Sequence, residues 1–260
     1  MPANKKRSAA IAAAAIILCA SLFFIINPKE APAAREERPV VSESIRYYGP
    51  ANGFLARPAK GGDYPGVIMV HEWWGLNNHI KGQARELAKE GYIVLAVDLF
   101  KGEVAETPAR AEELVGQVVQ EEAMANMKMA ADWLRSKGVS KIVSLGWCFG
   151  GRKSIEFALS GEPLAATVIY YGQLETDIEK VRTVSWPVLG IFGEKDSSIP
   201  VSSVREFESA LDSLGVYNEI YVYPEVGHAF ANPSGDNYHP DETRDAWAKT
   251  ITFLKEQLSK

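Results

Sequence analysis

The strongest constraint on this chain is an alternation of short apolar runs with helical patterns, which begins near residue 66 and continues almost to the C-terminus. The apolar runs have the length and composition of buried strands, and segments with an apolar helical stripe lie between them. The runs are Gly66–Val70, Tyr92–Val97, Ile142–Leu145, Ala166–Tyr170, Val188–Phe192 and Glu219–Tyr223. Such alternation predicts an α/β fold with a mostly parallel central sheet that is flanked by helices on both faces.

Local signals add detail at both ends of this pattern. Tyr47-Tyr48 and Phe54-Leu55 flank a Gly- and Pro-containing turn, which predicts an antiparallel edge hairpin. A helical region begins at Thr107-Pro108, with an interruption expected near Gly116. The closing segment Asp241–Leu258 has the apolar stripe of a helix that packs on the sheet.

The first 26 residues have the pattern of an export signal. A basic cluster, Lys5–Arg7, precedes Ala9–Ile26, which is apolar apart from Ser21, and a polar segment follows. This order predicts export to the cell envelope or a periplasm-like compartment, with the basic flank left in the cytoplasm. Two outcomes stay open, since cleavage at Ala31–Ala33 releases a soluble protein, whereas an uncleaved run remains as a membrane anchor.

The predicted organisation has three parts: a signal or anchor at 1–26, a flexible tether at 27–43, and one α/β domain at 44–260. The chain carries 28 Lys and Arg against 33 Asp and Glu, a net charge of −5. An acidic domain without a basic stripe is not expected to bind nucleic acid. Membrane contact is expected only through the N-terminal apolar segment. The histidines lack metal-ligand spacing, so no metal site is predicted.

The candidate nucleophile is Cys148, which occupies the centre of a Gly-x-Cys-x-Gly pattern between a predicted strand and a predicted helix. Glycines two residues before and after allow the sharp turn that lifts one side chain clear of the sheet. The N-terminus of the following helix supplies N–H groups and a partial positive charge, which favour a thiolate and an oxyanion. A buried structural cysteine is the competing interpretation of the same pattern.

Two further polar groups follow later strands. Asp196 ends the segment Gly193–Asp196, and His228 lies in Gly227–Phe230. The chain order Cys148, Asp196, His228 is that of nucleophile, acid and base in an α/β-hydrolase. Because the carboxyl ends of parallel strands meet at one edge of the sheet, these side chains are expected to lie together. The imidazole would take the thiol proton, and the carboxylate would fix the imidazole tautomer.

The segment after the first buried strand supplies the remaining candidates. The backbone N–H groups of Trp73 and Phe149 are predicted to form the oxyanion hole. Glu72 is predicted to lie near the thiol, where a carboxylate can hold the thiol proton or serve as its alternative partner. His71 is interpreted as a structural histidine.

Six segments together resemble the dienelactone hydrolase family, in the family's order, over about residues 45–260. They are His71–Gly75, Val97–Phe100, Gly146–Gly151, Tyr170–Gly172, Gly193–Asp196 and Gly227–Phe230. The resemblance implies an α/β-hydrolase core without a cofactor and a triad of Cys148, His228 and Asp196. It also implies that Glu72 pairs with the resting thiol and helps to generate the thiolate. The implied reaction is cleavage of an ester or lactone through a thioester.

The chain departs from the lactone-cleaving members at two places. Asn232 stands where an arginine four residues after the triad histidine helps to hold the substrate carboxylate. Lys101 and Gly102 follow Phe100, where a second arginine is expected. An uncharged amide does not provide bidentate carboxylate recognition. A small-molecule ester or lactone other than dienelactone is therefore expected as the substrate.

Two other functions remain compatible with these residues. A non-catalytic ligand-binding or thiol redox-sensing domain could use the same fold, because fold alone does not fix function. Acyl transfer to an acceptor other than water would use the same three side chains as hydrolysis.

Overall fold

The computed structural model describes residues 38–49 and 51–259. The predicted signal or anchor at 1–26 lies outside the described residues, as does the tether up to residue 37. Among the described helices, none has the length and apolar character needed to cross a membrane. The first strand begins at Val40, so the predicted tether extends four residues too far into the folded domain.

The described strands form one eight-stranded sheet in the order β1-β2-β4-β3-β5-β6-β7-β8. They are β1 (Val40–Tyr48), β2 (Ala51–Pro58), β3 (Gly66–Val70), β4 (Ile93–Val97), β5 (Ile142–Trp147), β6 (Ala166–Tyr170), β7 (Val188–Gly193) and β8 (Asn218–Tyr223). The strands β1 and β2 pair antiparallel, as predicted for the hairpin, and β2 pairs antiparallel with β4. All pairs from β4 to β8 are parallel, which confirms the predicted α/β class.

The helices connect these strands in the expected alternation. They are α1 (Asn78–Lys89), α2 (Pro108–Gly116), α3 (Gln120–Ser136), α4 (Phe149–Leu159), α5 (Ile178–Val181), α6 (Val201–Ser213) and α7 (Pro240–Leu258). The hydroxyl of Thr107 caps α2, whose first residue is proline. The predicted interruption near Gly116 is confirmed, because α2 ends there and α3 begins at Gln120.

The core lies in two layers, one on each face of the sheet. Alternate residues of β3 divide between them because successive strand side chains point to opposite faces. Ile68 and Val70 join the layer that contains residues of α3, α4 and α6. Val67 and Met69 join the layer that contains residues of α1 and α7. This arrangement buries every residue of β3 and leaves the carboxyl ends of the parallel strands as the edge where polar loops gather.

Candidate active site

Cys148 occupies a sharp turn between β5 and α4. Its backbone has φ 53° and ψ −117°, a conformation that a residue with a Cβ rarely adopts. A Cβ on Gly146 would collide with the carbonyl group of Gly150, and one on Gly150 would collide with the carbonyl oxygen of Val70. Both glycines of the Gly-x-Cys-x-Gly pattern are therefore required by close backbone approach. The turn leaves the thiol partly exposed at the sheet edge.

The structure brings Cys148, His228 and Asp196 into one hydrogen-bonded chain. Nε2 of His228 lies 3.0 Å from the thiol Sγ. Nδ1 of His228 lies 2.7 Å from Oδ2 of Asp196 and donates to it in the tautomer that leaves Nε2 to accept the thiol proton. The other oxygen of Asp196 accepts from the backbone N–H groups of Ser198 and Ile199.

The charge on His228 is stabilised by these contacts. Burial lowers the pKa of His228, but the hydrogen bonds to Asp196 and Cys148 and their negative charges outweigh burial and raise that pKa to about 10. The imidazolium form of His228 is therefore favoured beside the Asp196 carboxylate and the thiol.

The two amides predicted for the oxyanion hole lie on segments that flank the thiol. Phe149 is the first residue of α4, so its N–H has no acceptor within the helix. Trp73 lies in the turn that follows β3, and its side chain lines the same cleft as Cys148. Neither amide donates a hydrogen bond to another group among the described residues. Both remain available to an oxygen that develops negative charge.

Glu72 is almost completely buried, but its carboxylate contacts groups other than the thiol. Oε2 accepts a hydrogen bond from Nδ2 of Asn232 at 2.7 Å, and the hydroxyl of Tyr171 donates to Oε1 at 3.4 Å. Burial raises the pKa of Glu72 to about 7, although the charge on His228 and the Tyr171 hydroxyl oppose this shift. The family resemblance implied a Glu72–thiol pair, whereas here the thiol lies against His228.

Sequence reasoning did not assign these roles to Tyr171 and Asn232. Tyr171 follows β6, is fully buried, and packs edge-on against His228 with a centroid distance of 5.4 Å. The sequence marks Asn232 only as a departure from an arginine. The available signal was that Tyr171 directly follows β6 and that Asn232 lies in the loop after β8, four residues beyond His228. This signal does not reveal which carboxylate they contact.

His71 and Asp98 support the loops around the site. Nδ1 of His71 lies 2.6 Å from the Glu72 carbonyl oxygen, and Nε2 accepts from the N–H of Leu99. Burial lowers the pKa of His71, so the neutral ring is favoured. Asp98 accepts from the backbone N–H groups of Phe100 and Gly102. These contacts agree with the structural role predicted for His71.

A cleft of about 590 Å³ opens over the thiol. Its walls combine the side chains discussed above with two tryptophans and a polar loop; the lining residues include Glu72, Trp73, Trp74, Cys148, His228, Asn232, Ser234 and Asp236. A separate cavity of about 640 Å³ lies between α1 and α7, and its described lining contains no cysteine, serine or histidine. Across residues 38–49 and 51–259, no group of three or more Cys, His, Asp or Glu is placed to hold a metal ion.

A thiol raised on a strand-to-helix turn, beside an acid and an imidazole at the ends of later parallel strands, defines a protein of the α/β-hydrolase class. The sequence model of the dienelactone hydrolase family matches residues 51–258. The chain belongs to the dienelactone hydrolase family, and it is therefore an ester or lactone hydrolase.

Individual relatives agree with this assignment. A protein of Escherichia coli (strain K12), provisionally named carboxymethylenebutenolidase, is 32% identical over 220 residues, which cover 78% of this chain and 81% of the relative. Protein usf of Aquifex pyrophilus is 32% identical over 218 residues, which cover 80% of this chain and 94% of that relative. A Klebsiella pneumoniae structure provisionally described as a dienelactone hydrolase superposes with a TM-score of 0.75 at 29% identity, covering 84% of this chain and 99% of that one.

Proposed function

We propose that this protein hydrolyses small-molecule esters or lactones through a thioester on Cys148, with His228 as general base and acid and Asp196 as its orienting partner. The observation that carries the proposal is the continuous chain from Sγ to Nε2 at 3.0 Å and from Nδ1 to Oδ2 at 2.7 Å. These are the distances over which a proton can pass between a nucleophile and its base.

The proposed reaction has two halves. In the first, His228 takes the thiol proton, Sγ attacks the carbonyl carbon, and the N–H groups of Trp73 and Phe149 hold the oxyanion. Collapse of the tetrahedral intermediate breaks the ester C–O bond, and His228 returns the proton to the leaving alkoxide. In the second half, His228 deprotonates a water molecule, which attacks the thioester and releases a carboxylic acid and the free thiol.

Glu72 is proposed to prime the thiol. Its side chain lines the cleft that contains Cys148, and its raised pKa near 7 allows it to exchange a proton at neutral pH. In its ionised form it offers the thiol proton a second acceptor. The contacts from Asn232 and Tyr171 hold the carboxylate for this role.

The test of the proposal is hydrolysis of p-nitrophenyl acetate by the full chain beside Cys148→Ala and His228→Ala. Each variant is expected to lose about ten-thousandfold or more in kcat/KM. A mass increase of one acetyl group on the parent protein, absent from Cys148→Ala, would identify the thioester. Equal turnover by parent and variants would contradict the proposal and favour the ligand-binding or thiol-sensing alternative. Added alcohols would reveal acyl transfer as new ester products.

We also propose that residues 1–26 direct export to the cell envelope. The support is the basic cluster followed by the apolar run Ala9–Ile26. Expression in a Gram-negative host, followed by fractionation and intact-mass measurement, distinguishes the outcomes. Soluble periplasmic protein that lacks the segment indicates cleavage, membrane-bound full-length protein indicates an anchor, and cytoplasmic soluble protein contradicts the proposal. A variant that lacks residues 9–26 is the control.

A further inference from the structure

The charged groups in the cleft have a one-sided distribution. Glu72 and Asp236 line it, whereas its described lining contains no lysine or arginine. Among the described lining groups, only His228 can carry positive charge, and its ring is already engaged by Asp196 and the thiol. The described part of the cleft therefore offers no unpaired cation to an entering anion, and it presents carboxylates at two places.

Cations on the neighbouring segments are engaged elsewhere. Lys195, next to the triad acid, forms an ion pair with Glu225. Arg110, two residues beyond the lining residue Pro108, is paired with both Glu103 and Glu113. Recruiting either cation to a substrate would break an existing ion pair.

The apolar part of the cleft is supplied by Trp73 and Trp74. Their rings meet edge to face with centroids 4.9 Å apart, and both are only partly buried. Large aromatic faces bind apolar groups by burying their surface. The side-chain amide of Asn232 donates to Glu72 and so is not directed towards a substrate.

We infer that this cleft selects esters or lactones whose acyl group is uncharged and apolar, and that it discriminates against substrates that carry a carboxylate. This inference rests on the proposed hydrolase function and adds the substrate class. A carboxylate that enters the cleft loses hydration, meets no free cation among the described lining residues and approaches two acidic side chains, so its binding is opposed on each count.

The first test compares two esters of equal chain length, p-nitrophenyl hexanoate and mono-p-nitrophenyl adipate, which differ by a terminal carboxylate. After subtraction of the non-enzymatic rates, kcat/KM is expected to be at least about tenfold higher for the hexanoate. The ratio should narrow as salt is raised, since salt screens the repulsion. Equal kcat/KM for both esters would overturn the inference while leaving the hydrolase function intact. If the protein hydrolyses neither ester above the non-enzymatic rate, the proposed function is overturned, and the inference with it.

The second test changes the charge at the exposed rim without touching the proposed catalytic groups. Ser234→Lys adds a cation, and Ser234→Gln is the uncharged control of similar length. Relative to Ser234→Gln, Ser234→Lys is expected to raise the ratio of kcat/KM for the adipate to kcat/KM for the hexanoate about threefold or more. Asp236→Asn, which removes a negative charge, should also raise kcat/KM for the adipate, by about twofold. An adipate rate that does not respond to either charge change would overturn the inference.

Discussion

Asp196 and Glu72 are both buried carboxylates beside the same nucleophile, yet they have different hydrogen-bond donors. Asp196 accepts hydrogen bonds from two backbone N–H groups and from the imidazole of His228. Glu72 is held by one neutral amide and one distant hydroxyl, from Asn232 and Tyr171. Three N–H donors stabilise the ionised form of a carboxylate, whereas two weaker partners offset little of the free-energy cost of burying it.

We propose that this difference gives the two groups separate tasks. The Asp196 carboxylate would hold His228 in one tautomer and support its positive charge. Glu72, whose pKa is raised to about 7 chiefly by burial, can change its protonation state at neutral pH. Two carboxylates whose environments differ in this way can act as an orienting group and a proton acceptor in one site.

The most severe test of this comparison is Asp196→Asn. The amide can present its N–H to Nδ1 of His228, which favours the wrong tautomer and withdraws the charge that raises the pKa of that ring. We expect kcat/KM for p-nitrophenyl acetate to fall about ten-thousandfold. Glu194→Gln, at an exposed residue of the same loop, is the control and should retain full activity. A loss of less than tenfold would show that Asp196 does not orient the base.

Glu72→Gln should have a smaller effect on the rate and a specific effect on its pH dependence. Because the ionised carboxylate is proposed as a second acceptor of the thiol proton, kcat/KM of the parent should rise with pH through an inflection near 7. The variant is expected to lose about a hundredfold in kcat/KM at pH 8 and to lose the inflection. If the inflection persists unchanged in Glu72→Gln, it belongs to another group. Asp236→Asn is the control and is expected to keep the pH profile of the parent.

The same substitution should stabilise the fold in a pH-dependent way. Burial raises the pKa of Glu72 from 4.5 to about 7, so the folded state binds this proton more tightly than the unfolded state does. Stability is therefore lost as pH rises from about 4.5 to 7, and Glu72→Gln avoids that loss. We expect the variant to gain up to about 3 kcal/mol in unfolding free energy at pH 8, with most of the gain absent at pH 5. Urea unfolding at both pH values measures this, and an equal gain at both would indicate packing rather than titration.

The sequence predicted one half of this site better than the other. Cys148, Asp196 and His228 each follow a recognisable apolar strand, and parallel strands bring their carboxyl ends to one edge. The contacts of Glu72 depend on side-chain packing between three separate loops, which no spacing rule specifies. A similar limit applied to the first strand, whose exposed residues Ser42 and Glu43 give no apolar alternation to mark its start.

The smallest expected effect belongs to Tyr171→Phe, which removes the hydroxyl that donates to Glu72 at 3.4 Å and keeps the ring against His228. That hydroxyl opposes the rise in the pKa of Glu72, so its loss should move the inflection in kcat/KM upward from about 7, by less than about one pH unit because the bond is long. Tyr170→Phe is the matched control, since Tyr170 is equally buried and its hydroxyl contacts Thr250 of α7 rather than Glu72. The control should leave the inflection in place, and a downward shift in Tyr171→Phe would mean that the hydroxyl stabilises the neutral carboxyl instead.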